Sequence, residues 1–98
     1  MLVTEKLKRY LDEEGRLKQY PSKKPLRMLA LAYIAQYFEM GTQYTEAQVN
    51  EIIKERHTFG DHELIRRELF TYRFMNRMRN GSAYWLEEQQ PDLEEDTL

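Results

Sequence analysis

The sequence contains no cysteine, and this absence removes several classes of site at once. Without thiols there is no disulfide framework, no thiolate nucleophile and no cysteine-based metal knuckle. The chain also lacks an apolar run of about 18 residues, the length that a membrane-spanning helix requires. The first residues lack the apolar block of a secretory signal. These absences favour a cytoplasmic protein that has no membrane partner.

Motifs of the common enzyme classes are missing as well. The sequence has no glycine-rich phosphate loop, no serine nucleophile elbow and no paired-histidine zinc motif. His57, Asp61, His62 and Glu63 lie close together, but their spacing matches no standard set of metal ligands. His57 is better suited to end one helix, and Asp61 to cap the next. The sequence therefore predicts no enzyme, no metal site and no cofactor.

Positive charge is absent from the end of the chain. Residues 87–98 hold six acidic residues and no Lys or Arg, whereas residues 1–86 hold fifteen basic against eleven acidic residues, a net charge of +4. The last basic residue is Arg79. An acidic end block is typical of a solvated, disordered tail, and it would repel phosphates. The sequence therefore predicts one domain over residues 1–86 and a disordered tail over residues 87–98.

Helical periodicity and capping signals predict four helices. The second of them is apolar on most sides, which is typical of a central helix packed by several neighbours. The segment Gly15–Lys24 is predicted to be extended, and Gln43-Tyr44 to form a minimal strand. The predicted helices run from Val3 to Leu11, from Ser22 or Lys23 to Phe38, from a Thr45-Gln48 capping box to about Arg56, and from an Asp61 cap to about Tyr72.

The clearest local signal is the pair Asn80-Gly81 between two alternating segments, residues 74–79 and 82–86. Both residues accept positive φ, so the pair predicts a β-hairpin. The order of a helix, a four-residue link, a helix and a hairpin is that of a winged helix-turn-helix. The predicted fold class is α+β, mainly α: a winged helix-turn-helix with an extra N-terminal helix and a C-terminal β-hairpin wing.

Four stretches of the sequence resemble a bacterial domain family of uncharacterised function: GRLKQYPSKK, YTEAQVNEII, FGDHELIRRELFTYRF and RMRNGSAYW. The resemblance covers roughly residues 12–86, and the stretches have the expected spacing. Members of that family occur alone and at the C-terminal ends of transcriptional regulators. The resemblance implies a winged-helix-like fold, an association with transcription and no catalytic residues. Where this domain is fused to a regulator, another domain of the regulator binds DNA. The resemblance therefore implies that the family domain serves as a sensor or dimerisation module in those fusions.

The second helix of a helix-turn-helix enters the major groove of DNA, and its outer face reaches the base edges. In this sequence that outer face holds Glu63, Arg66, Arg67 and Phe70. Arg66 and Arg67 suit bidentate contacts with guanine or phosphate. The alternative is an ordinary solvated surface, on which Glu63 and Arg67 form an ion pair one helical turn apart.

Further candidate nucleic-acid contacts lie in the wing and at the start of the central helix. Arginine and asparagine in a wing are suited to contact phosphates or the minor groove. The alternative is that charges on a hairpin edge block unwanted strand pairing. Two lysines at a helix N-terminus are disfavoured by the helix dipole, which indicates a nearby anion, against the alternative of simple solvation. The candidates are Arg73, Arg77, Arg79 and Asn80, and Lys23 and Lys24.

Phe70 complicates the DNA hypothesis because it lies almost opposite the inner stripe of its helix. It could touch a thymine methyl group, pack under the N-terminal helix, or be buried in a dimer interface, and burial favours the last two. Two functions therefore stay open. The first is a transcription-associated domain that binds double-stranded DNA, and the second is a protein-interaction or dimerisation module whose partner is a second copy or a regulator. Small-molecule sensing near Met28, Tyr33 and Tyr37 is a third hypothesis with no further support.

Overall fold

A computed structural model describes residues 5–93 of the chain. Within this range, a 3-10 turn at Lys8–Tyr10 is followed by three α-helices and a two-stranded antiparallel hairpin. The fold is thus α+β and mainly helical, and its layout is consistent with the predicted winged-helix-like arrangement. In the part described, no helix has both the length and the apolar character needed to cross a bilayer. The elements are α1 (Lys24–Ala35), α2 (Glu46–Glu55), α3 (His62–Thr71), β1 (Met75–Arg77) and β2 (Tyr84–Leu86).

Helix α1 is the most deeply buried of the three helices, as its nearly all-round apolar surface predicts. Most of its side chains from Leu29 onward are buried, and they join the inner faces of α2 and α3 in one core. The hairpin closes the remaining side of the core. The core residues are Leu29, Ala30, Leu31 and Ile34 of α1, Val49 and Ile53 of α2, Ile65 and Leu69 of α3, and Phe74, Met75, Tyr84 and Leu86 around the hairpin.

Both predicted N-terminal caps are confirmed. The Thr45 hydroxyl accepts from the Gln48 N–H at 3.1 Å, and the Gln48 side chain accepts from the Thr45 N–H at 2.8 Å. The Asp61 carboxylate accepts from the Leu64 N–H at 3.3 Å and starts α3. These contacts satisfy backbone donors that the first helical turn leaves free, so they define where both helices begin.

The predicted end of α1 at Phe38 is wrong by three residues. The helix stops at Ala35, and tighter turns follow, in which Phe38 N–H donates to Ala35 C=O at 3.0 Å. The tighter winding turns the Phe38 ring onto the core, where it packs edge-to-face with the Tyr44 ring at a distance of 5.2 Å between the ring centres. Burial of one aromatic side chain is stabilising enough to override a continuing helical pattern.

The predicted helix over Val3–Leu11 differs in type and in its end: Glu5 and Lys6 are α-helical, Lys8–Tyr10 is a 3-10 turn, and Val3 and Thr4 lie outside the described part. A 3-10 turn ends at Tyr10, and Leu11 is extended because it pairs antiparallel with Leu17. Leu17 in turn bonds the link between α2 and α3: its N–H donates to Arg56 C=O and its C=O accepts from Thr58 N–H, at 2.8 and 2.9 Å. The predicted extended segment therefore braces the link.

The hairpin turns at Asn80-Gly81 as predicted, in the register Met75 with Leu86 and Arg77 with Tyr84. Tyr84 also pairs antiparallel with Tyr44, which bears out the predicted minimal strand. Of these two turn residues, Gly81 alone has a positive φ, at 77°. The loop is a β-turn closed by Gly81 N–H donating to Met78 C=O at 2.8 Å, and Gly81 then redirects the chain into β2.

Residues 87–93 contact the body of the protein, whereas the sequence predicts a disordered tail from residue 87. The Glu87 N–H and the Gln90 side-chain amide both donate to the Phe74 carbonyl, at 3.0 and 2.9 Å. Leu93 is partly buried against the core. One carbonyl that the hairpin leaves free thus binds the start of the acidic segment, and residues 94–98 lie outside the described part.

Candidate nucleic-acid interface

The link between α2 and α3 is held by the buried side chain of His57, which is 5% exposed. Its Nε2 accepts from the Asp61 N–H at 3.0 Å. Because Nε2 is the acceptor, Nδ1 carries the hydrogen and donates to the Ile53 carbonyl at 2.7 Å. His57 therefore ends α2, as predicted, and also positions the residue that caps α3. Both ring nitrogens are occupied by backbone groups.

The outer face of α3 presents the Arg67 and Phe70 side chains, both exposed. Glu63 lies one turn before Arg67 on the same face. The ion pair expected between these two side chains is not among those that residues 5–93 form. The Arg67 guanidinium is therefore available to a partner at the centre of this face.

Arg66 has a different environment from Arg67, although the two are adjacent in sequence. Its side chain is only 19% exposed, and its guanidinium reaches back to α2. Nη1 donates to the Asn50 amide oxygen at 2.5 Å, and Nη2 lies 3.9 Å from Glu46 Oε2. The structure thus uses Arg66 to hold α3 against α2.

We expect Arg66→Ala to lower the free energy of unfolding by about 1–2 kcal/mol, because it leaves the Asn50 amide and the Glu46 carboxylate without their partner. Arg67→Ala removes the same charge from a solvated position and should change stability by less than about 0.5 kcal/mol. Urea unfolding of both variants measures the difference. Equal losses would contradict these separate roles.

Glu46 also connects α2 to the hairpin. The Tyr84 hydroxyl donates to Glu46 Oε1 at 3.1 Å, while the other oxygen of this carboxylate faces Arg66. Burial and this hydrogen bond to a carboxylate raise the pKa of Tyr84 above its ordinary value. One carboxylate at the start of α2 therefore fixes the hairpin and α3 relative to each other.

A second contact ties the hairpin directly to α3. The Arg77 guanidinium carbon lies 4.8 Å from the centre of the Phe70 ring, in cation–π range. The Arg77 guanidinium also donates to the Arg79 carbonyl at 3.3 Å, across the turn. Phe70 remains 38% exposed and is partly covered by Arg77. Arg79 and Asn80 lie in the turn and are exposed, and the Asn80 side chain accepts from Ser82 N–H at 3.0 Å.

The N-terminus of α1 lies beside the last turn of α3. The Lys24 ammonium is 5.4 Å from the centre of the ring of Tyr72, the residue that follows α3. Lys23 is the exposed N-cap residue of α1, and its side chain makes no capping hydrogen bond. The first turn of α1 also contains no acidic residue. A lysine from the start of α1 therefore lies beside the C-terminal end of α3.

Arg73 ends α3 in a conformation that favours glycine. Its φ is 69°, and it is the one non-glycine residue with positive φ in the described part of the chain. Its N–H donates to Phe70 C=O at 3.1 Å, and Phe74 N–H donates to Leu69 C=O at 2.9 Å, the pattern of a Schellman cap. A left-handed conformation costs a side-chain-bearing residue about 1–2 kcal/mol, so Arg73 occupies this place at the expense of stability.

We expect Arg73→Gly to raise the free energy of unfolding by about 0.5–1 kcal/mol, because relief of the left-handed conformation outweighs the greater freedom of glycine in the unfolded chain. Arg73→Ala keeps the unfavourable conformation and serves as the matched control. Thermal melts should show a higher Tm for the glycine variant alone. A higher Tm for both variants would mean that side-chain repulsion, not backbone conformation, is the cause.

Residues 16–86 match the model of a family described as an uncharacterized protein conserved in bacteria (DUF2087). The chain belongs to the DUF2087 family. The resemblance to an uncharacterised bacterial family is thereby confirmed. No curated protein and no solved structure matches the chain significantly.

The DUF2087 match begins at the segment that braces α3. The Tyr20 hydroxyl donates to the Glu68 carboxylate of α3, and the Arg27 Nε lies 3.6 Å from the same group. Burial, and then the hydrogen bond to Glu68, raise the pKa of Tyr20 far above its ordinary value. The basic GRLKQYPSKK stretch thus anchors α3 through its aromatic residue and presents its lysines at the surface.

Sequence reasoning missed the contacts of Glu46, Asn50 and Tyr84, which organise the region. Glu46 and Asn50 are four residues apart, so they share one face of α2, and this spacing was the available signal. Strand alternation places Arg77 and Tyr84 on one face of the hairpin. No local pattern indicates that these two faces meet at Arg66.

Proposed function

We propose that the protein is a winged helix-turn-helix domain that binds double-stranded DNA in a transcription-associated role. The order of the elements supports this assignment: α1 is followed by the single bridge residue Tyr44, then by α2, α3 and the hairpin of β1 and β2. Tyr44 pairs with β2, and β2 pairs with β1. The turn of the hairpin is thereby left free to act as a wing. The observation that carries the proposal is the exposed Arg67 on the outer face of α3, with the exposed Arg73 directly after this helix and the wing held beside it by the contact of Arg77 with Phe70.

In this function α3 enters the major groove, and Arg67 contacts base edges or phosphates at its centre. Arg73, Arg79 and Asn80 contact the backbone on the wing side, and Lys23 and Lys24 do so at the N-terminus of α1. Arg66 acts by holding α3 against α2, and Arg77 acts by holding the wing against α3. The contacts are thereby divided between residues that touch DNA and residues that position them.

The charge distribution supports binding that depends strongly on salt. The +4 of residues 1–86 attracts DNA, while the six acidic residues of 87–98 oppose nonspecific binding. About four phosphate contacts would lower the affinity roughly 100-fold between about 50 and 200 mM salt. This dependence separates phosphate contacts from other modes of association.

A fluorescence-anisotropy titration of the protein against a labelled mixed-sequence duplex at these two salt concentrations tests the proposal. We expect binding at the lower concentration and a steep loss at the higher one. A complete lack of salt-dependent binding would contradict DNA binding of any sequence class.

The alternative function is a protein-interaction or dimerisation module with the same fold, and the exposed ring of Phe70 favours it. If Phe70 lies in a dimer interface, Phe70→Ala should convert a dimer into a monomer in sedimentation velocity. The Arg77→Gln variant is the matched comparison, because it removes the cation above the ring and keeps the ring itself. Monomeric behaviour of the unchanged protein would count against this alternative.

A further inference from the structure

The hairpin has a second face, which points away from the core. Met75, Tyr84 and Leu86 alternate inward and are buried, so the residues between them point outward. Trp85 lies on this outer face opposite Asn76 and is only half-buried. A large aromatic side chain on the outside of a two-stranded sheet leaves apolar surface that no element of residues 5–93 fully covers.

Trp85 forms one wall of a groove of about 420 Å³. The turn after α1 supplies the opposite wall through Met40, whose side chain is exposed, and through Gln43. Glu87 and Glu88 line the same groove at the end of β2. No Lys or Arg is among its lining residues.

Trp85, which lines the groove, and Arg77, which holds the wing against α3, lie on opposite faces of the hairpin. Tyr84 faces Glu46 and α2, and its neighbour Trp85 points to the opposite side of the strand. Arg77 shares the face of Tyr84 and covers Phe70 of α3, whereas Trp85 lines the groove together with Glu87 and Glu88. The two regions adjoin at the end of the hairpin, where the Glu87 N–H donates to the carbonyl of Phe74, the residue after Arg73.

We propose that this groove is a docking site for a basic segment of a partner protein, with a Lys or Arg side chain lying between Trp85 and the carboxylates of Glu87 and Glu88. An indole face attracts a cation, and two nearby carboxylates add to that attraction. The stem of a Lys or Arg side chain covers apolar surface such as Met40 while its charge stays at the rim. Charge complementarity therefore selects a basic polypeptide over an acidic one. The proposal does not depend on DNA binding.

Trp85 is the single tryptophan of the chain, so its fluorescence reports on this groove alone. Titration with an oligoarginine peptide should give a saturable change in Trp85 emission, and oligoglutamate should give none. The double variant Glu87→Gln/Glu88→Gln should weaken the oligoarginine affinity about fivefold, as expected for two partly solvated ion pairs. Its fold should be unchanged, because Glu87 contacts Phe74 through its backbone N–H.

The matched control is Glu55→Gln/Glu63→Gln, which removes the same charge from exposed positions at the end of α2 and the start of α3 that do not line the groove. We expect this control to change the affinity by less than about twofold. Equal weakening by both double variants would overturn the proposal in favour of general attraction to acidic residues. Absence of a saturable change in Trp85 emission with oligoarginine would also overturn the proposal. A change in Trp85 emission when the protein alone is concentrated would overturn it too, because it would identify a second copy of the chain as the occupant of the groove.

Discussion

Replacing His57 by alanine is expected to lower the free energy of unfolding by about 3 kcal/mol, the largest effect on stability of the substitutions considered for this protein. The substitution removes a buried ring whose centre lies 4.7 Å from the centre of the Phe59 ring. It also removes two hydrogen bonds of the ring, one to the Asp61 N–H and one to the Ile53 carbonyl, which keeps the Arg56 N–H as a donor. The loss of ring packing dominates the expected effect, and each lost hydrogen bond adds about 0.5–1.5 kcal/mol.

His62→Ala is the matched control, because it removes the other histidine from the partly exposed first position of α3. We expect this control to change stability by less than about 0.5 kcal/mol. For a domain of this size, a loss of about 3 kcal/mol corresponds to a fall in Tm of roughly 15 °C, which calorimetry measures directly. Similar melting temperatures for the two variants would show that His57 does not hold the link.

The largest effect on the proposed function is expected from the triple variant Arg67→Ala/Arg73→Ala/Arg79→Ala. It should weaken binding to duplex DNA by at least about 100-fold at low salt and reduce the slope of log affinity against log salt by about three. Arg67, Arg73 and Arg79 are all exposed, so the protein should keep its fold. Arg73→Ala also leaves the backbone of the helix end unchanged.

The control variant Lys8→Ala/Lys18→Ala/Lys54→Ala removes three exposed cations from elements outside the candidate interface. It changes the net charge by the same amount, so simple attraction between the whole protein and DNA would weaken both triple variants equally. We expect the lysine variant to lose less than about fivefold, because its charges lie beyond direct contact and are screened. Equal losses would argue against a localised interface.

The two triple variants and the His57 variant separate binding from folding. His57→Ala acts on the position of α3, so its effect on DNA binding should follow its effect on stability. The arginine triple variant should lose affinity with little change in Tm. An unfolding midpoint that falls with affinity in the arginine variant would mean that these residues support the fold.

The features that the sequence determined by itself are those that depend on neighbours within a few residues. The Thr45-Gln48 capping box, the Asp61 cap and the turn at Asn80-Gly81 all follow from hydrogen bonds or backbone preferences that act over two to four positions. The deep burial of α1 follows from its nearly all-round apolar surface. Such local interactions are present in the chain before any tertiary contact forms.

Tertiary structure alone decided which basic residues are available to a partner. Arg66 and Arg67 are equivalent by composition, yet Arg66 is bound by Asn50, sixteen residues away, and Arg67 is exposed. The cover of Phe70 by Arg77, and the brace between Tyr20 and Glu68, also join segments that have no local signal for each other. The physical reason is that these contacts arise where amphipathic elements pack together, and packing depends on the shape and charge of both surfaces at once.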